Sequence, residues 1–340
     1  MRDYLQHLTE QLSMQGSVNI CTALTGTLQG KHLIWEGDAI LYCEGEEQEL
    51  WRTLLPGLRE ATPGRMTELQ DDWFYIERLT DAPRLIILGG GHISAPLARI
   101  GKLLEFEVTV VDDRSEFANK ERFESTDHIL CMDYDKVFEE LPQYKNSYYV
   151  VVTPGHKKDL QCVKHILNRS YAYVGMIGSR GKVAKVRKSL LEMQYTEEKL
   201  KELHAPIGLK IGGQTPAEIA VSIAAELVQE RNLTPTSTIE KDILQEIRSG
   251  KEPMILTEII SKTGSSPRGN GSRMLVLKDG TIRGTIGGGS VEYAAIQKSL
   301  TMLQSGEDFS VEEYILSDTE GATLGMVCGG NIKVMFEQVI

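Results

Sequence analysis

The stretch "LIILGGGHISAPLARIGKLLEFEVTVVDDR", residues 85–114, decides the fold of the middle of this chain. An apolar strand runs into three glycines, an amphipathic segment follows, and a second apolar strand ends on acidic residues. Gly89 and Gly91 stand where a tight turn and a close backbone approach to a phosphate are needed. Asp112 ends the second strand 21 residues after Gly91, a spacing typical of an acid that binds ribose hydroxyls. The stretch therefore predicts a dinucleotide-binding unit, with His92 as a loop side chain able to bind phosphate.

Composition and charge exclude several classes of protein. The 340 residues suffice for two or three domains. A formal net charge of -11 opposes non-specific binding to nucleic acid or to an anionic membrane, which needs a basic face. No apolar run approaches the roughly 20 residues that cross a bilayer, and the first residues lack the apolar core of a signal peptide. We therefore expect a cytoplasmic protein with no nucleic-acid and no membrane partner.

The five cysteines do not form a metal-cluster motif. No two of them lie within 20 residues of each other, so neither zinc-ligand spacing nor an iron–sulfur run is present in the sequence. This spacing weighs against a protein that carries electrons through several centres.

The pattern of apolar segments predicts the domain organisation. Residues 84–230 alternate strands and helices, which predicts an α/β fold with a Rossmann-like, doubly wound, mostly parallel sheet. Residues 231–242 are polar and contain proline, as a linker does, and residues 236–340 predict a smaller, β-rich α+β domain. Residues 1–80 form an α+β segment that repeats the C-terminal order of helix, strand, Thr-Gly loop and hairpin. We interpret this segment as a degenerate copy; chance similarity of short β segments is the alternative.

Individual elements of the middle and C-terminal blocks are also predicted. The spacing of Thr215 and Glu218 predicts a capping box at the start of a helix, and Asp279-Gly280 predicts the turn of a hairpin. The predicted strands are 84–88, 106–111, 128–132, 148–153 and 171–177, followed by 254–261 and the closing segment 331–339.

Two further loops follow predicted strands and carry polar residues. "TPGHKKD" follows the fourth strand of the middle block and "GSRGK" follows the fifth. Because ligands of doubly wound sheets bind beyond the carboxyl ends of the strands, we expect both loops to face the crevice of the glycine loop. An arginine at a helix start is suited to bind a phosphate through two hydrogen bonds. The candidate cofactor-binding residues of these loops are Thr153, Gly155, His156, Gly178, Ser179 and Arg180.

The C-terminal block contains three loops rich in glycine or arginine, "TGSSPRGNGSRM", "GTIGGGSVE" and "GMVCGGNIKV". Consecutive glycine N–H groups form an anion-binding nest, and a thiol before two glycines can approach a ligand closely. The alternative is a set of glycine-rich sheet corners with a buried cysteine. The candidate cofactor-binding residues are Arg268, Arg273, Gly287, Gly288, Gly289 and Glu292, with Ser290 and Cys328 as the candidate reactive side chains.

These motifs resemble those of the XdhC/CoxI family, the accessory proteins of molybdenum hydroxylases such as xanthine dehydrogenase. The arrangement is that of members in which the CoxI-type segment follows the Rossmann segment. The matching motifs are "GGGHISAPLA", "VTVVDDR", "TPGHKKD", "YVGMIGSR", "GLKIGGQTPAEIAVSI", "GSSPRGNGSRML", "GTIGGGSVE" and "MVCGGNIKVMFE".

The resemblance implies an accessory factor that binds the molybdenum cofactor, protects it during sulfuration and delivers it to the apo-hydroxylase. It implies two partners, a cysteine desulfurase and the molybdenum hydroxylase, and a homodimer. Helix N-termini with Arg180 suit the phosphate tail of the cofactor, while glycine nests with Arg268 or Arg273 suit its oxo-anionic head. Ser290 replaces the cysteine of the family motif, which leaves Cys328 as the motif thiol able to contact bound molybdenum.

Two alternatives from another functional class stay open. The first is an NAD(P)-binding oxidoreductase, and the second is a xanthine dehydrogenase-associated subunit. The chain is too short, and has no cysteine cluster, to be the whole hydroxylase. We expect the loops of the central sheet and of the C-terminal block to bind one phosphorylated, negatively charged ligand.

Overall fold

The computed structural model describes residues 3–233, 236–263, 269–316 and 330–339. The chain divides into two units, of which the first joins Met1–Asp81 with Pro235–Ile340 and the second is Ala82–Thr234. Across the described ranges, no helix combines the length and the apolar character needed to traverse a lipid bilayer.

The N-terminal part of the first unit is a five-stranded antiparallel sheet with two helices. Its elements are α1 (Asp3–Gln15), β1 (Ser17–Ala23), β2 (His32–Glu36), β3 (Ala39–Cys43), α2 (Gln48–Glu60), β4 (Arg65–Leu69) and β5 (Asp72–Thr80). The strand order is β3-β2-β1-β5-β4. Trp51, Leu54 and Leu58 recur at helical spacing and are buried, so α2 packs this face against the core of the sheet.

The second unit alternates strands and helices. Its elements are β6 (Arg84–Leu88), α3 (Ser94–Leu103), β7 (Glu107–Asp112), β8 (His128–Cys131), α4 (Tyr134–Glu140), β9 (Ser147–Val151), α5 (His156–Leu167), β10 (Tyr173–Met176), α6 (Arg180–Glu192), α7 (Glu197–Lys201), β11 (Leu203–His204) and α8 (Pro216–Arg231). All six strands are parallel, in the order β8-β7-β6-β9-β10-β11. Numbered along the chain this order is 3-2-1-4-5-6, that of a Rossmann fold, so the predicted fold is confirmed.

The local predictions for this unit hold closely. Each of the five predicted strands is present, with ends displaced by two residues at most. The capping box is confirmed, because the Thr215 hydroxyl accepts from the Glu218 N–H at 3.3 Å and the Glu218 carboxylate accepts from the Thr215 N–H at 3.0 Å. Strand β11 was not predicted, since two residues are too short to show any period.

The C-terminal part of the first unit is a second five-stranded antiparallel sheet with two helices. Its elements are α9 (Lys241–Ser249), β12 (Ile255–Lys262), β13 (Arg273–Val276), β14 (Ile282–Gly284), α10 (Gly289–Ser305), β15 (Phe309–Leu316) and β16 (Gly330–Gln338). The strand order is β14-β13-β12-β16-β15. The hairpin between β13 and β14 turns at Asp279-Gly280, as predicted, with the Leu277 N–H donating to the Thr281 carbonyl at 2.9 Å.

The two sheets of the first unit have the same topology. Both follow the order helix, three strands, helix, two strands, and both arrange their strands identically. Their registers agree as well, because Glu77 of β5 pairs with Ile20 of β1, and Glu337 of β16 pairs with Leu256 of β12. Our interpretation of residues 1–80 as a degenerate copy now has this shared topology as its support.

Charged partners are exchanged between the two sheets at equivalent positions. His32 begins β2 and Arg273 begins β13. The His32 ring nitrogen Nε2 lies 3.4 Å from the Glu337 carboxylate of the second sheet. In return, the Arg273 guanidinium donates to the Glu77 carboxylate of the first sheet. Each sheet thus supplies a cation to the glutamate on the last strand of the other.

The structure corrects the predicted role of Arg273. The sequence predicts a ligand-binding residue beside a loop, whereas Arg273 is a strand residue with 2% of its surface exposed. Besides its bond to Glu77, its guanidinium lies 3.0 Å from the Glu258 carboxylate. Burial, together with the neighbouring Glu77 carboxylate, raises the pKa of Glu258 well above its usual range. Because Arg273 is committed to two buried carboxylates, it stabilises the first unit and is no longer a ligand-binding candidate.

His32 makes the first unit sensitive to alkaline pH. Burial opposes a charged imidazole, but the carboxylates of Glu337 and Glu44 outweigh burial and raise the pKa of His32 to about 9. The charged His32 ring contributes its full stabilisation below about pH 6.5, the pKa of histidine in the unfolded chain. This contribution is lost as the pH rises through about 9, the pKa of His32 in the folded protein. We expect the free energy of unfolding of this unit to fall by about 2 kcal/mol between pH 7 and pH 9.

Tryptophan fluorescence during urea unfolding measures this effect selectively. The three tryptophans, Trp35, Trp51 and Trp73, all lie in the first unit. The His32→Gln variant should lose most of the pH dependence, while His128→Gln, which removes an exposed histidine of the second unit, should retain it. An unchanged slope in His32→Gln contradicts the assignment.

Candidate functional site

The carboxyl ends of β6 and β9 lie side by side at the centre of the parallel sheet. Strands β7 and β8 lie on one side of β6 in the sheet, and β9, β10 and β11 lie on its other side. In open α/β sheets, ligands bind in the crevice at such a reversal of strand order. The loops that leave β6 and β9 are the glycine loop and the "TPGH" loop singled out in the sequence.

The helices that follow these two strands begin without a side-chain cap. Ile93 precedes α3 and Gly155 precedes α5, and neither offers a side-chain acceptor to the first turn. The other helices of residues 82–233 all have capping side chains, namely Asp133, Ser179, Thr196 and Thr215. Two uncapped helix N-termini at neighbouring strand ends provide N–H donors and positive dipole ends, which bind anions such as phosphate.

The glycines of these loops serve two different purposes. Gly89 has a φ of 118°, and a Cβ there would lie 2.4 Å from the Val152 carbonyl oxygen. A Cβ on Gly90 would also lie 2.4 Å from a backbone carbonyl oxygen. In contrast, a Cβ on Gly91 or Gly155 would meet no atom within 4 Å. Packing of the protein therefore requires the first two glycines, while Gly91 and Gly155 leave space beside the two uncapped helix starts.

The structure disfavours the prediction of Asp112 as a ribose-binding acid. Its side chain is fully buried, and its Oδ2 accepts from the Gly90 N–H at 2.8 Å. Arg114 donates to both carboxylate oxygens, at 2.8 Å and 2.9 Å. Burial opposes the charge, but the hydrogen bonds from Arg114 and Gly90 outweigh it and lower the pKa of Asp112. Its carboxylate therefore holds the glycine loop against the end of β7.

Two further carboxylates near this edge also have cationic partners inside the unit. Asp113 pairs with Lys158, and the fully buried Asp159 pairs with Lys182. The Thr153 hydroxyl donates to Asp159 at 2.6 Å, so this candidate residue supports the start of α5. Neither lysine was predicted from the sequence, because each pairs with an acid on a different element; Lys158 and Asp113 are 45 residues apart.

Several basic side chains remain exposed at the same edge. His92, His156 and Arg180 are exposed, as is Lys157, which lies in the "TPGHKKD" motif but was not among the predicted site residues. Arg180 is the first residue of α6, after Gly178 and the capping residue Ser179. Within the part of the chain that the structure describes, neither Lys157 nor Arg180 has an acidic partner. With Asp112, Asp113 and Asp159 each paired to a cation, this edge can attract an anion although the whole chain carries a charge of -11.

In the first unit, the connection from β14 to α10 forms a glycine corner, defined here as residues 285–289. Gly287, Gly288 and Gly289 have φ values of 119°, 74° and 73°, which lie in the region that favours glycine. Helix α10 begins after Gly288 without a side-chain cap, and Ser290, in its first turn, is exposed. The Glu292 carboxylate is bonded to the corner itself, accepting from the Gly288 N–H at 3.1 Å.

Two candidates, Arg268 and Cys328, lie outside the described residues. Within the described ranges, no group of three or more His, Cys, Asp and Glu side chains is arranged to hold a metal ion. The chemistry that the described candidates support is thus binding of an anionic ligand through backbone N–H groups and basic side chains.

Comparisons with known proteins agree with this architecture. Residues 85–227 match the family described as the XdhC Rossmann domain, and residues 247–314 match the XdhC and CoxI family. The chain is 32% identical over 160 residues to the uncharacterized protein YqeB of Escherichia coli, covering 47% of this chain and 29% of that protein. It is 29% identical over 157 residues to a probable xanthine dehydrogenase subunit of Bacillus subtilis, covering 46% of each.

A solved structure shares the fold. The crystal structure of a xanthine dehydrogenase from Bacillus halodurans superposes with a TM-score of 0.51 at 21% identity, covering 67% of this chain and 66% of that one. The matches span less than half the length of the two curated relatives. With a Rossmann segment followed by a CoxI-type segment, the chain belongs to the XdhC/CoxI family.

Proposed function

We propose that this protein is an accessory factor of a molybdenum hydroxylase of the xanthine dehydrogenase type. In this proposal it binds the molybdenum cofactor, protects it while its terminal sulfur is installed, and delivers it to the apo-enzyme. Its partners are then the hydroxylase, a cysteine desulfurase and a second copy of the chain. The family membership and the relative named as a probable xanthine dehydrogenase subunit support the role.

The observation that carries the proposal is the pair of uncapped helix N-termini beside β6 and β9. The molybdenum cofactor has a phosphate on its pterin tail, and the first-turn N–H groups of α3 and α5 suit that phosphate. Gly91 and Gly155 leave room for it, and Arg180 supplies a cation. The donor set at this edge therefore fits the phosphate end of the cofactor.

The glycine corner of the first unit is a separate and weaker candidate for an oxo-anion. The Glu292 carboxylate already accepts from the Ile286 and Gly288 N–H groups, so an anion is left the donors of the uncapped, exposed start of α10, with the Ser290 hydroxyl close by in the sequence. When bound, the cofactor supplies the molybdenum centre that receives the sulfur. Cys328, outside the described residues, is the thiol that we assign to contact it.

An NAD(P)-binding oxidoreductase is the second candidate. The strand order and the glycine loop favour it, because both are typical of dinucleotide-binding domains. Burial of Asp112 disfavours it, because that carboxylate is committed to Gly90 and Arg114 and does not offer an oxygen to a ribose.

Direct binding separates the two candidates. The full chain is titrated with isolated molybdenum cofactor and, separately, with NAD⁺ and NADH, and is then added to apo-hydroxylase with a cysteine desulfurase. We expect near-stoichiometric binding of the cofactor and a gain of hydroxylase activity that depends on the chain. Tight binding and turnover of NADH without cofactor binding would replace the accessory role by the oxidoreductase.

Removal of the exposed arginine tests the phosphate placement. We expect Arg180→Ala to weaken cofactor binding about tenfold, because a charge-assisted hydrogen bond to the phosphate is lost. Lys185→Ala removes an exposed cation of the same helix, beyond its first turn, and is the matched control. Affinity is measured by fluorescence titration of the pterin. Equal affinity of Arg180→Ala and Lys185→Ala contradicts the placement.

A further inference from the structure

The β7–β8 connection, residues 113–127, packs against the glycine loop on the side of Asp112. Gly90 is buried, and a Cβ on it would collide with the Phe117 carbonyl oxygen. The Arg122 side chain donates from Nε to the Gly90 carbonyl oxygen at 2.9 Å. Both backbone polar groups of Gly90 are therefore bonded inside the protein, the N–H to Asp112 and the carbonyl to Arg122.

In a dinucleotide-binding domain, this side of the glycine loop receives the nucleoside. The acid that ends the second strand binds the ribose hydroxyls, and the pyrophosphate lies at the helix start. In this chain the Arg114 guanidinium donates to both oxygens of the equivalent acid, Asp112, and lies 3.8 Å from the centre of the Phe117 ring. A planar group of the chain itself thus makes the hydrogen bonds that a ribose would make, with an aromatic ring beside it.

The β7–β8 connection is held in this position by its own contacts. Phe123 is buried in the core to which α3 contributes. The Asn119 side chain donates to two carbonyls of the connection and accepts from the Arg122 N–H at 3.0 Å. Displacing the connection would also leave the buried Asp112 carboxylate without its cation, which is strongly destabilising. A nucleoside therefore cannot displace it at low cost.

The other side of the glycine loop is open. Gly91 is partly exposed, and a Cβ on Gly91 or on Gly155 would meet no atom within 4 Å. A phosphate at the two uncapped helix starts needs neither the Asp112 carboxylate nor the space that Phe117 occupies. The two halves of the crevice thus differ, since one is filled by the chain and the other is available.

We infer that residues 114–122 fill the nucleoside half of the Rossmann crevice and restrict its ligand to a phosphate end that carries no nucleoside. Arg114, Phe117 and Arg122 are specificity-determining residues, because they keep a nucleoside out. For the identity of the ligand, this inference rests on the proposed function. The cofactor whose phosphate is a simple monoester fits the crevice, whereas a cofactor with a nucleotide joined to that phosphate does not.

Calorimetric titration of the full chain with inorganic pyrophosphate and with ADP tests the inference. The two probes share a diphosphate and differ by one nucleoside. The parent protein should bind ADP no more tightly than pyrophosphate, because the adenosine finds its place occupied. Binding of ADP that is tighter by tenfold or more overturns the inference.

Opening the filled half should create a nucleoside site. Arg114→Ser combined with Phe117→Ala removes the guanidinium and the ring and leaves the Asp112 oxygens to a ribose. We expect the affinity for ADP to rise at least about tenfold above that of the parent, since hydrogen bonds to a charged acceptor are strong. Arg99→Ser, which removes an exposed arginine of α3, is the control and should gain nothing.

Folding of the double variant is checked by hydrogen exchange of β6 and β9. A folded double variant with parent-like affinity for ADP overturns the inference. If the double variant does not fold, Phe117→Ala alone takes its place, because it keeps the pair of Arg114 with Asp112. We then expect a gain of about threefold from the space that the ring leaves, and no gain overturns the inference.

Two forms of the cofactor separate this inference from the proposed function. The parent protein should bind the molybdenum cofactor with a simple phosphate monoester at least about tenfold more tightly than the form with a nucleotide joined to that phosphate. Equal affinity overturns the inference and leaves the proposed function intact. Binding of neither form overturns the proposed function, and the ADP titrations still decide whether the nucleoside half is filled.

Discussion

Replacing Arg273 by methionine is expected to destabilise the first unit by about 3 to 5 kcal/mol. The substitution keeps the side chain long and unbranched but leaves the buried carboxylates of Glu77 and Glu258 without their shared cation. Glu77 keeps one neutral donor, the Ser237 hydroxyl at 2.6 Å, which cannot replace a guanidinium. Urea unfolding followed by tryptophan fluorescence at pH 7 measures the loss.

Two controls separate the buried pair from a general effect of removing arginine. Arg283→Met removes an arginine of the neighbouring strand whose partner, Glu246 at 2.9 Å, is near the surface, and should cost about 1 kcal/mol or less. Combining Arg273→Met with Glu77→Gln removes the unpaired charge, since the raised pKa of Glu258 favours its neutral form, and should restore much of the stability. A loss below about 1 kcal/mol for Arg273→Met would show that the carboxylates do not depend on it.

Adding one methyl group at Gly89 is expected to destabilise the second unit by roughly 4 kcal/mol, because backbone strain and overpacking each cost about 1 to 3 kcal/mol. The new Cβ would lie 2.4 Å from the Val152 carbonyl oxygen, and the φ of 118° is one that alanine rarely adopts. Hydrogen exchange of β6 and β9 measures the stability of this unit, since residues 82–234 include no tryptophan in their sequence.

The same change at Gly91 separates folding from binding. Gly91→Ala should alter stability by no more than about 0.5 kcal/mol, because its Cβ meets no protein atom within 4 Å. It should nevertheless weaken cofactor binding at least about tenfold, if the phosphate lies beside the helix start as proposed. Unchanged affinity in Gly91→Ala would remove the glycine loop from the binding site, while parent-like stability in Gly89→Ala would contradict its packing role.

Short-range patterns of the sequence determined the second unit in detail. The apolar runs around Leu85–Leu88 and the period of the following helices predict strands buried on both faces, and this feature depends on neighbouring residues only. The Thr215 capping box and the Asp279-Gly280 turn are local as well, since each is formed by residues within four positions. The order of glycine loop, strand ends and helix starts then follows from the topology of a parallel sheet.

Tertiary structure decided which charged side chains are available to a ligand. The sequence presents Asp112 and Arg273 as candidates for ligand binding, because Asp112 ends a predicted strand 21 residues after Gly91 and Arg273 follows a glycine-containing loop. In the structure, the Asp112 carboxylate accepts hydrogen bonds from Gly90 and Arg114. The Arg273 guanidinium donates to Glu77, which lies 196 residues away in the sequence. A buried charge requires an opposite charge or several hydrogen bonds, and those partners come from whichever strand packs alongside. Such pairings depend on the order and register of the strands, which no local sequence pattern determines. The backbone donors at an uncapped helix start, in contrast, depend only on the residues just before that helix.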